Sequence, residues 1–138
     1  MQDNIASMID DILRTCRTIA VAGASSNPVR PSNRVAGYMK SQGYRMIPVN
    51  PNETNILGES AYPSLTAIPG PIDLVDVFRK PEDVLPIVEE AIAKGAKAIW
   101  LQEGIVNEAA ASRAREAGLL VVMDRCWFKE HSARSGRG

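Results

Sequence analysis

Residues 18–51 read TIAVAGASSNPVRPSNRVAGYMKSQGYRMIPVNP, and this stretch decides the fold. Residues 18–22 form a short apolar run with β-branched side chains, which is typical of a strand buried on both faces. Residues 23–28 are small residues and turn formers, and residues 35–40 carry apolar side chains at helical spacing. A second apolar run, residues 46–49, completes a strand–helix–strand unit. Because the connection is too long for a hairpin, the two strands are predicted to be parallel.

The turn after the first strand has the properties of a phosphate site. A helix N-terminus presents unpaired backbone N–H groups and the positive end of the helix dipole. Gly23 has no side chain to obstruct a ligand. Ser25, Ser26 and Ser32 add hydroxyl groups, and Arg30 adds a permanent positive charge. An alternative is that Gly23 only makes a tight turn and Ser32 only caps the helix. The predicted ligand of the whole segment is a nucleotide diphosphate.

This turn departs from the dinucleotide fingerprint G-x-G-x-x-G. That pattern needs glycine where this chain has Ser25 and Pro28. NAD enzymes also carry an acidic residue near the end of the second strand, where this chain has Asn50 and Pro51. The sequence therefore indicates a Rossmann-like site whose favoured ligand is not NAD.

Composition limits the class of protein. The chain has 138 residues, 45% hydrophobic and 23% charged, which is typical of a single globular domain. Its 16 basic and 16 acidic side chains balance, which argues against nucleic acid or an anionic membrane as a partner. No apolar run approaches the roughly 20 residues of a membrane span, and the first residues lack signal-peptide features, so a cytoplasmic location is expected. Cys16 and Cys126 match no metal-binding spacing and are expected to be reduced thiols.

Strands and helices continue to alternate along the rest of the chain. An amphipathic helix is predicted at residues 5–13, before the first strand. Further strands are predicted at residues 74–78, 98–101 and 119–123. Pro81 begins one intervening helix and Asn107 caps another. This alternation predicts an α/β three-layer sandwich, in which a five-stranded parallel sheet is covered by helices on both faces. We expect one domain over residues 1–131 and a flexible tail over residues 132–138.

In such a sheet, ligands bind beyond the carboxyl ends of the strands. The residues that follow the five predicted strands are Gly23-Ala24-Ser25, Asn50-Pro51, Phe78-Arg79, Gln102-Glu103-Gly104 and Asp124-Arg125-Cys126. This set has no histidine and no carboxylate cluster spaced for a metal, and His131 is predicted to be a surface residue. A binding site is therefore favoured over an active site, with no catalytic residue and no metal.

The same residues carry a resemblance to a known family. The chain resembles the small stand-alone CoA-binding proteins and, more distantly, the CoA-binding domain of the succinyl-CoA synthetase α subunit. The matching motifs are Ile19–Ser25 with Arg30-Pro31-Ser32, Ile47–Pro51, Val77-Phe78-Arg79, Trp100–Gly104 and Met123–Cys126. They occur in order at the predicted strand ends, and the resemblance runs from about Ile12 to Cys126.

The resemblance implies a Rossmann-like domain with strand order 3-2-1-4-5 that binds coenzyme A. Residues 23–25 would line the phosphates, residues 50–51 would face the nucleotide, and residues 78–79 would flank the adenine and ribose. Gln102 and Gly104 would approach from the fourth strand. The predicted binding residues, which all lie at the strand ends or in the first turn, are Gly23, Ala24, Ser25, Arg30, Ser32, Asn50, Pro51, Phe78, Arg79, Gln102 and Gly104.

The chain departs from the synthetase pattern in its charges. The synthetase has a ligand-binding lysine after its second strand, where this chain has Asn52 or Glu53. Arg30 and Arg79 are the candidates to supply the missing positive charge. For Arg79, an ion pair with the acidic residues 82–83 is the alternative.

Non-catalytic binding of CoA or an acyl-CoA, as a carrier, sensor or accessory module, is the function that this pattern favours. The alternatives are an NAD(P)-binding oxidoreductase-like protein, a remnant subunit of an acyl-CoA ligase, and an interaction protein with a vestigial pocket. The protein is expected to be a monomer or weak homodimer, and a protein partner is left open. Cys126 has two interpretations, a packed thiol or a ligand-facing thiol that forms a mixed disulfide with CoA.

Overall fold

A five-stranded parallel sheet forms the centre of the molecule, which is described over residues 3–135 by a computed structural model. In chain order the elements are α1 (Asp3–Thr15), β1 (Thr18–Ala22), α2 (Pro31–Ser41), β2 (Arg45–Val49), β3 (Asn55–Ile56), β4 (Glu59–Ser60), β5 (Leu74–Val77), a 3₁₀ helix (Pro81–Asp83), α3 (Val84–Ala93), β6 (Ala98–Leu101), α4 (Glu108–Glu116), β7 (Leu120–Met123) and α5 (Trp127–Ser135). The sheet has the order β2-β1-β5-β6-β7 with every neighbouring pair parallel, while β3 and β4 form a separate antiparallel hairpin. The predicted α/β fold with a five-stranded parallel sheet is confirmed.

Helices cover both faces of this sheet, as the sequence predicted. The buried side chains of α1, α2 and α5 belong to one core cluster, together with Ile19 and Val21 of β1. The buried side chains of α3 and α4 belong to a second cluster, together with Ala20 and Ala22 of the same strand. Alternate residues of β1 thus serve opposite cores, which is why this strand is apolar throughout.

The position of β5 in the sheet differs from the prediction. If only the five parallel strands are counted, the order is 2-1-3-4-5, whereas the expected order was 3-2-1-4-5. The third of these strands, β5, pairs with β1, and Ala20 lies opposite both Ile47 of β2 and Val75 of β5. The first strand is therefore flanked by the second and the third.

Contacts of the segment between β2 and β5 explain this order. In place of a helix, the segment carries Leu65, Ile68 and Ile72 into the same core cluster as α3 and α4. At its end, the Asp73 carboxylate accepts hydrogen bonds from the backbone N–H groups of residues 17 and 18, both at 3.1 Å. These bonds hold the start of β5 beside the start of β1.

A C-terminal helix, α5, follows β7, where the sequence analysis predicted no helix. It includes residues 132–135, which had been assigned to a flexible tail; residues 136–138 lie outside the described residues. Arg134 stabilises its last turn through two 2.9 Å hydrogen bonds to Glu130. His131, predicted to be a surface residue, is half-buried: its ring stacks on Trp127 and its Nδ1 lies 2.7 Å from the Tyr38 hydroxyl.

None of the helices within residues 3–135 combines the length and the apolar character needed to cross a membrane.

Candidate functional site

A cleft of about 660 Å³ lies at the carboxyl ends of the strands. Each of the five parallel strands contributes residues that follow its last position, and the start of α2 forms one wall. The lining residues are Gly23, Ala24, Ser25, Arg30, Pro31, Ser32, Val35, Asn50, Phe78, Arg79, Lys80, Asp83, Gln102, Glu103, Ile105 and Cys126. The cleft is therefore at the edge where a parallel sheet is expected to bind its ligand.

All of the predicted binding residues except Pro51 and Gly104 line this cleft. Pro51 lines a smaller neighbouring pocket of about 260 Å³, to which Arg79 also contributes. Gly104 donates its backbone N–H to the Asp124 carboxylate at 2.7 Å, so it shapes the loop after β6. Contact between these residues and a ligand stays a prediction.

Several lining residues were missing from the predicted set. They are Pro31, Val35, Lys80, Asp83, Glu103, Ile105 and Cys126. Lys80, Glu103 and Cys126 each lie within a few residues of a strand end, so position alone could have included them. Val35 is one turn inside α2, and no feature of the sequence distinguishes it from the other buried residues of that helix.

The backbone geometry of the turn after β1 requires glycine at position 23. Its φ is +90°, and a Cβ atom at this position would lie 2.6 Å from the backbone oxygen of Phe78. The N–H groups of Gly23 and Ala24 both donate to the carbonyl of Val49, at 3.1 and 3.2 Å. These two amides join the ends of β1 and β2 and do not face a ligand as free donors.

Two other backbone amides around the turn are available to a ligand. The N–H groups of Ser25 and Ser32 have no hydrogen-bond partner among the described residues. Ser32 is the second residue of α2, where the helix dipole adds positive potential, and Arg30 immediately precedes that helix. Together these groups make a candidate anion site at a helix N-terminus. Ser32 does not cap the helix, since Arg30 occupies the N-cap position.

The segment after β2 places an acidic group beside the same turn. The Glu53 carboxylate accepts a hydrogen bond from the N–H of Ser26 at 3.2 Å and from the Asn50 amide at 3.4 Å. Asn50 also donates to the carbonyl of Ala24 at 2.8 Å and accepts from the N–H of Asn52 at 2.7 Å. Asn50 therefore connects the end of β2 to the turn after β1, and Glu53 occupies a donor that an anion could otherwise use.

Three positive side chains surround the cleft. Arg79 forms a 3.4 Å ion pair with Asp83, and both side chains are about two-fifths exposed (43% and 41%). A pair this exposed contributes little free energy and can exchange for a ligand phosphate. Arg30 and Lys80 are exposed and have no ion-pair partner among the described residues. Positive charge at the cleft thus comes from the ends of β1 and β5, whereas the end of β2 carries Glu53.

Buried polar side chains line the deep part of the cleft. Gln102 is 5% exposed, and its Oε1 accepts the backbone N–H of Trp127 at 3.0 Å. Because the backbone N–H must donate, the oxygen is fixed on that side and the Gln102 amide nitrogen is left without a partner among the described residues. Ser32 is 4% exposed, and its hydroxyl likewise has no partner there. Neither donor is sealed in the core, and both residues line the cleft, so a ligand with acceptor groups could bind them.

One buried carboxyl lies in the sheet beneath the cleft. Asp76 of β5 is fully buried, lies in register between Val21 and Trp100, and has no hydrogen-bond partner for either carboxyl oxygen. Burial raises its pKa well above the ordinary value for aspartate, which favours the protonated, uncharged form of the group. The sequence predicted the strand correctly but gave no sign that its central aspartate is buried.

Comparison with known proteins identifies the family. Residues 17–132 match the family model of the CoA-binding domain. The chain belongs to this CoA-binding family. An uncharacterized protein of Bacillus subtilis, YneT, is 42% identical over 132 residues, which cover 96% of this chain and 98% of that protein. A hypothetical protein of Pyrococcus horikoshii has a solved structure that is 42% identical, with a TM-score of 0.90 over 93% of this chain and 90% of the other.

The same CoA-binding family extends to parts of larger enzymes. The α subunit of the ADP-forming acetate–CoA ligase II of Pyrococcus furiosus is 33% identical over 106 residues. These residues cover 76% of this chain but only 23% of the ligase subunit. Similarity to the ligase is therefore confined to one region of that enzyme.

Proposed function

We propose that this protein binds coenzyme A or an acyl-CoA in the cleft at the strand ends, without catalysing a reaction on it. In this role it acts as a carrier, sensor or accessory module in the cytoplasm, as a monomer or weak homodimer. The observation that carries the proposal is the anion site at the start of α2, where the free N–H groups of Ser25 and Ser32 lie beside Arg30. Membership of the CoA-binding family favours the pyrophosphate of CoA as the anion that binds there.

The length of the cleft also supports CoA as the ligand. It reaches from the turn after β1 to Cys126 after β7, and these strands are three positions apart in the sheet. At about 4.8 Å per strand, the two ends are about 14 Å apart. The phosphopantetheine arm has about twelve chain atoms, as many as four extended residues, and so spans about 14 Å. A ligand with its phosphates at Ser25 and Ser32 can therefore extend along the whole cleft.

Non-catalytic binding follows from the side chains at hand. His131 is the one histidine of the sequence, and it is engaged with Tyr38 and Trp127 and does not line the cleft. Burial lowers its pKa, so this ring is neutral at physiological pH. The residues that line the cleft offer no pairing of a nucleophile with a base at hydrogen-bond distance.

Titration with CoA and with NAD tests the identity of the ligand. We expect CoA to raise the melting temperature much more than NAD at the same concentration, since the end of β2 presents Asn50 and not a ribose-binding carboxylate. A ligand at a hundred times its dissociation constant stabilises the folded state by about 2.7 kcal/mol, which gives a clear shift. Equal shifts for the two ligands would contradict the proposal.

Matched arginine variants test the position of the ligand. Arg30→Ala and Arg79→Ala each remove a positive charge at the cleft, so each should lower the affinity for CoA about ten- to a hundredfold and reduce its salt dependence. Arg45→Ala is the control, because Arg45 is an exposed residue that begins β2 at the opposite end of the sheet. If all three variants bind equally well, the ligand is not in this cleft. If Arg79→Ala binds as well as the control while Arg30→Ala binds more weakly, Arg79 serves its ion pair with Asp83.

A remnant ligase subunit is the second candidate, favoured by the similarity to the acetate–CoA ligase subunit. Synthesis of acetyl-CoA from acetate, ATP and CoA by the isolated protein is expected to be absent. Sustained turnover would contradict the non-catalytic role while leaving CoA binding in place.

A further inference from the structure

Cys126 lies at the end of the cleft opposite the anion site. It follows β7 and lines the cleft, and it is partly exposed. The residue also directly precedes α5, and its carbonyl accepts the first-turn hydrogen bond from the N–H of Glu130 at 3.0 Å.

A second and independent observation indicates that a ligand passes this thiol. The unpartnered amide nitrogen of Gln102 and the unpartnered hydroxyl of Ser32 belong to side chains only 5% and 4% exposed, and both residues line the cleft. Gln102 is bonded to the backbone of Trp127, the residue next to Cys126, so the free donor and the thiol are neighbours. Amide carbonyls along the pantetheine arm are acceptors suited to such donors.

We propose that Cys126 is a thiol-exchange site for disulfides of CoA, an inference that rests on the proposed function. CoA bound by its phosphates at the turn after β1 has an arm of about 14 Å, which is long enough to reach Cys126 across the cleft. The sulfur therefore arrives at the cysteine, and binding supplies a high local concentration for the exchange.

The exchange needs no oxidant other than the disulfide itself. The Cys126 thiolate attacks the CoA sulfur of a disulfide CoA–S–S–R, and a bond forms between Sγ and that sulfur as the original S–S bond breaks. The second half leaves as the thiolate RS⁻, which takes up the proton that Cys126 released. A free thiol reverses the step by the same route and liberates CoA.

Cys16 provides a matched control within the same chain. It is 2% exposed, lies at the end of α1 and does not line the cleft. Burial raises the pKa of its thiol, so this cysteine stays protonated. The two cysteines thus differ in their access to the cleft.

Mass spectrometry of the intact protein tests the proposal. The reduced protein is mixed with the symmetric CoA disulfide or with oxidised glutathione at equal concentration, and the adduct is followed over time. We expect one CoA adduct on Cys126, formed at least about tenfold faster than the glutathione adduct because the nucleotide is bound. Desulfo-CoA, which lacks the thiol, should slow the reaction, and dithiothreitol should reverse it. Cys126→Ser should abolish the adduct, and Cys16→Ser should leave its rate unchanged.

The affinity of Cys126→Ser for CoA, measured by calorimetry, separates the possible failures. If CoA binds but its disulfide reacts no faster than oxidised glutathione, the exchange site is refuted and the proposed function stands. The same holds if desulfo-CoA binds without slowing the reaction. If CoA does not bind at all, the proposed function fails and the exchange site fails with it.

Discussion

Replacement of Asp76 by asparagine should change how the stability of the protein depends on pH. Asp76 is fully buried between Val21 and Trp100, and its carboxyl oxygens are without hydrogen-bond partners. Burial raises its pKa well above the ordinary value. In the unfolded chain the same group ionises above about pH 4. Over the interval between these two pKa values, the folded state therefore holds one more proton than the unfolded state.

The magnitude follows from proton linkage. A difference of one bound proton lowers the free energy of unfolding by about 1.4 kcal/mol for each pH unit. The contribution of Asp76 to the free energy of unfolding is fully present below the pKa that this group has in the unfolded chain. It declines as the pH rises toward the pKa of the group in the folded state. An asparagine side chain does not titrate. The free energy of unfolding of Asp76→Asn, relative to that of the natural protein, should therefore increase by about 1.4 kcal/mol per pH unit over that interval.

Urea denaturation, followed by circular dichroism at several pH values from about 5 to about 8, measures this difference. The titration of His131 contributes equally to both proteins and cancels. Asp11→Asn is the control, because Asp11 is 57% exposed and pairs with Arg14 on the surface of α1, so its profile should parallel that of the natural protein. Parallel profiles for Asp76→Asn and the natural protein would show that Asp76 is ionised in the folded state, and the reasoning from burial would be refuted.

Two further predictions concern the turn after β1. Glu53→Gln removes the negative charge beside the N–H of Ser26, so it should raise the affinity for CoA up to about fivefold. Calorimetry measures this change. Weaker binding would mean that Glu53 orders the turn and does not compete with the ligand. Gly23→Ala should destabilise the fold by more than the roughly 1–2 kcal/mol of left-handed strain, because its Cβ would meet the Phe78 oxygen at 2.6 Å. Gly118→Ala is the matched control in urea denaturation, since it has a similar φ of +94° and no atom within 4 Å. Equal losses for the two alanine variants would leave strain alone as the cause.

The sequence predicted the parts of this fold that depend on local pattern. Continuous apolar runs mark strands that are buried on both faces, and the long connections between them require parallel pairing. Because parallel strands end at the same edge of a sheet, the residues that follow them were predicted to meet, and most of them do line one cleft. The helix cap at Asn107, which accepts the N–H of Ala110 at 3.0 Å, was also readable from the chain.

Only the tertiary structure decided which strand lies beside which. Apolar residues predominate in every strand of the sheet, so no local pattern distinguishes a place beside β1 from one beside β2. The choice depends on contacts over more than 50 residues, such as the bonds of Asp73 to the start of β1. Similarly, His131 looked exposed in sequence because its partner Tyr38 is 93 residues away.

The same limit applies to the candidate site. The sequence placed glycine and serine in the phosphate turn, but it could not show that Val49 occupies the amides of Gly23 and Ala24 and leaves that of Ser25 free. Local composition determines which donors exist, and long-range packing determines which of them remain unpaired. Both the candidate anion site at α2 and the buried carboxyl of Asp76 can therefore be recognised only in the folded chain, because the neighbours of a group in space determine whether it is buried and whether it has a hydrogen-bond partner.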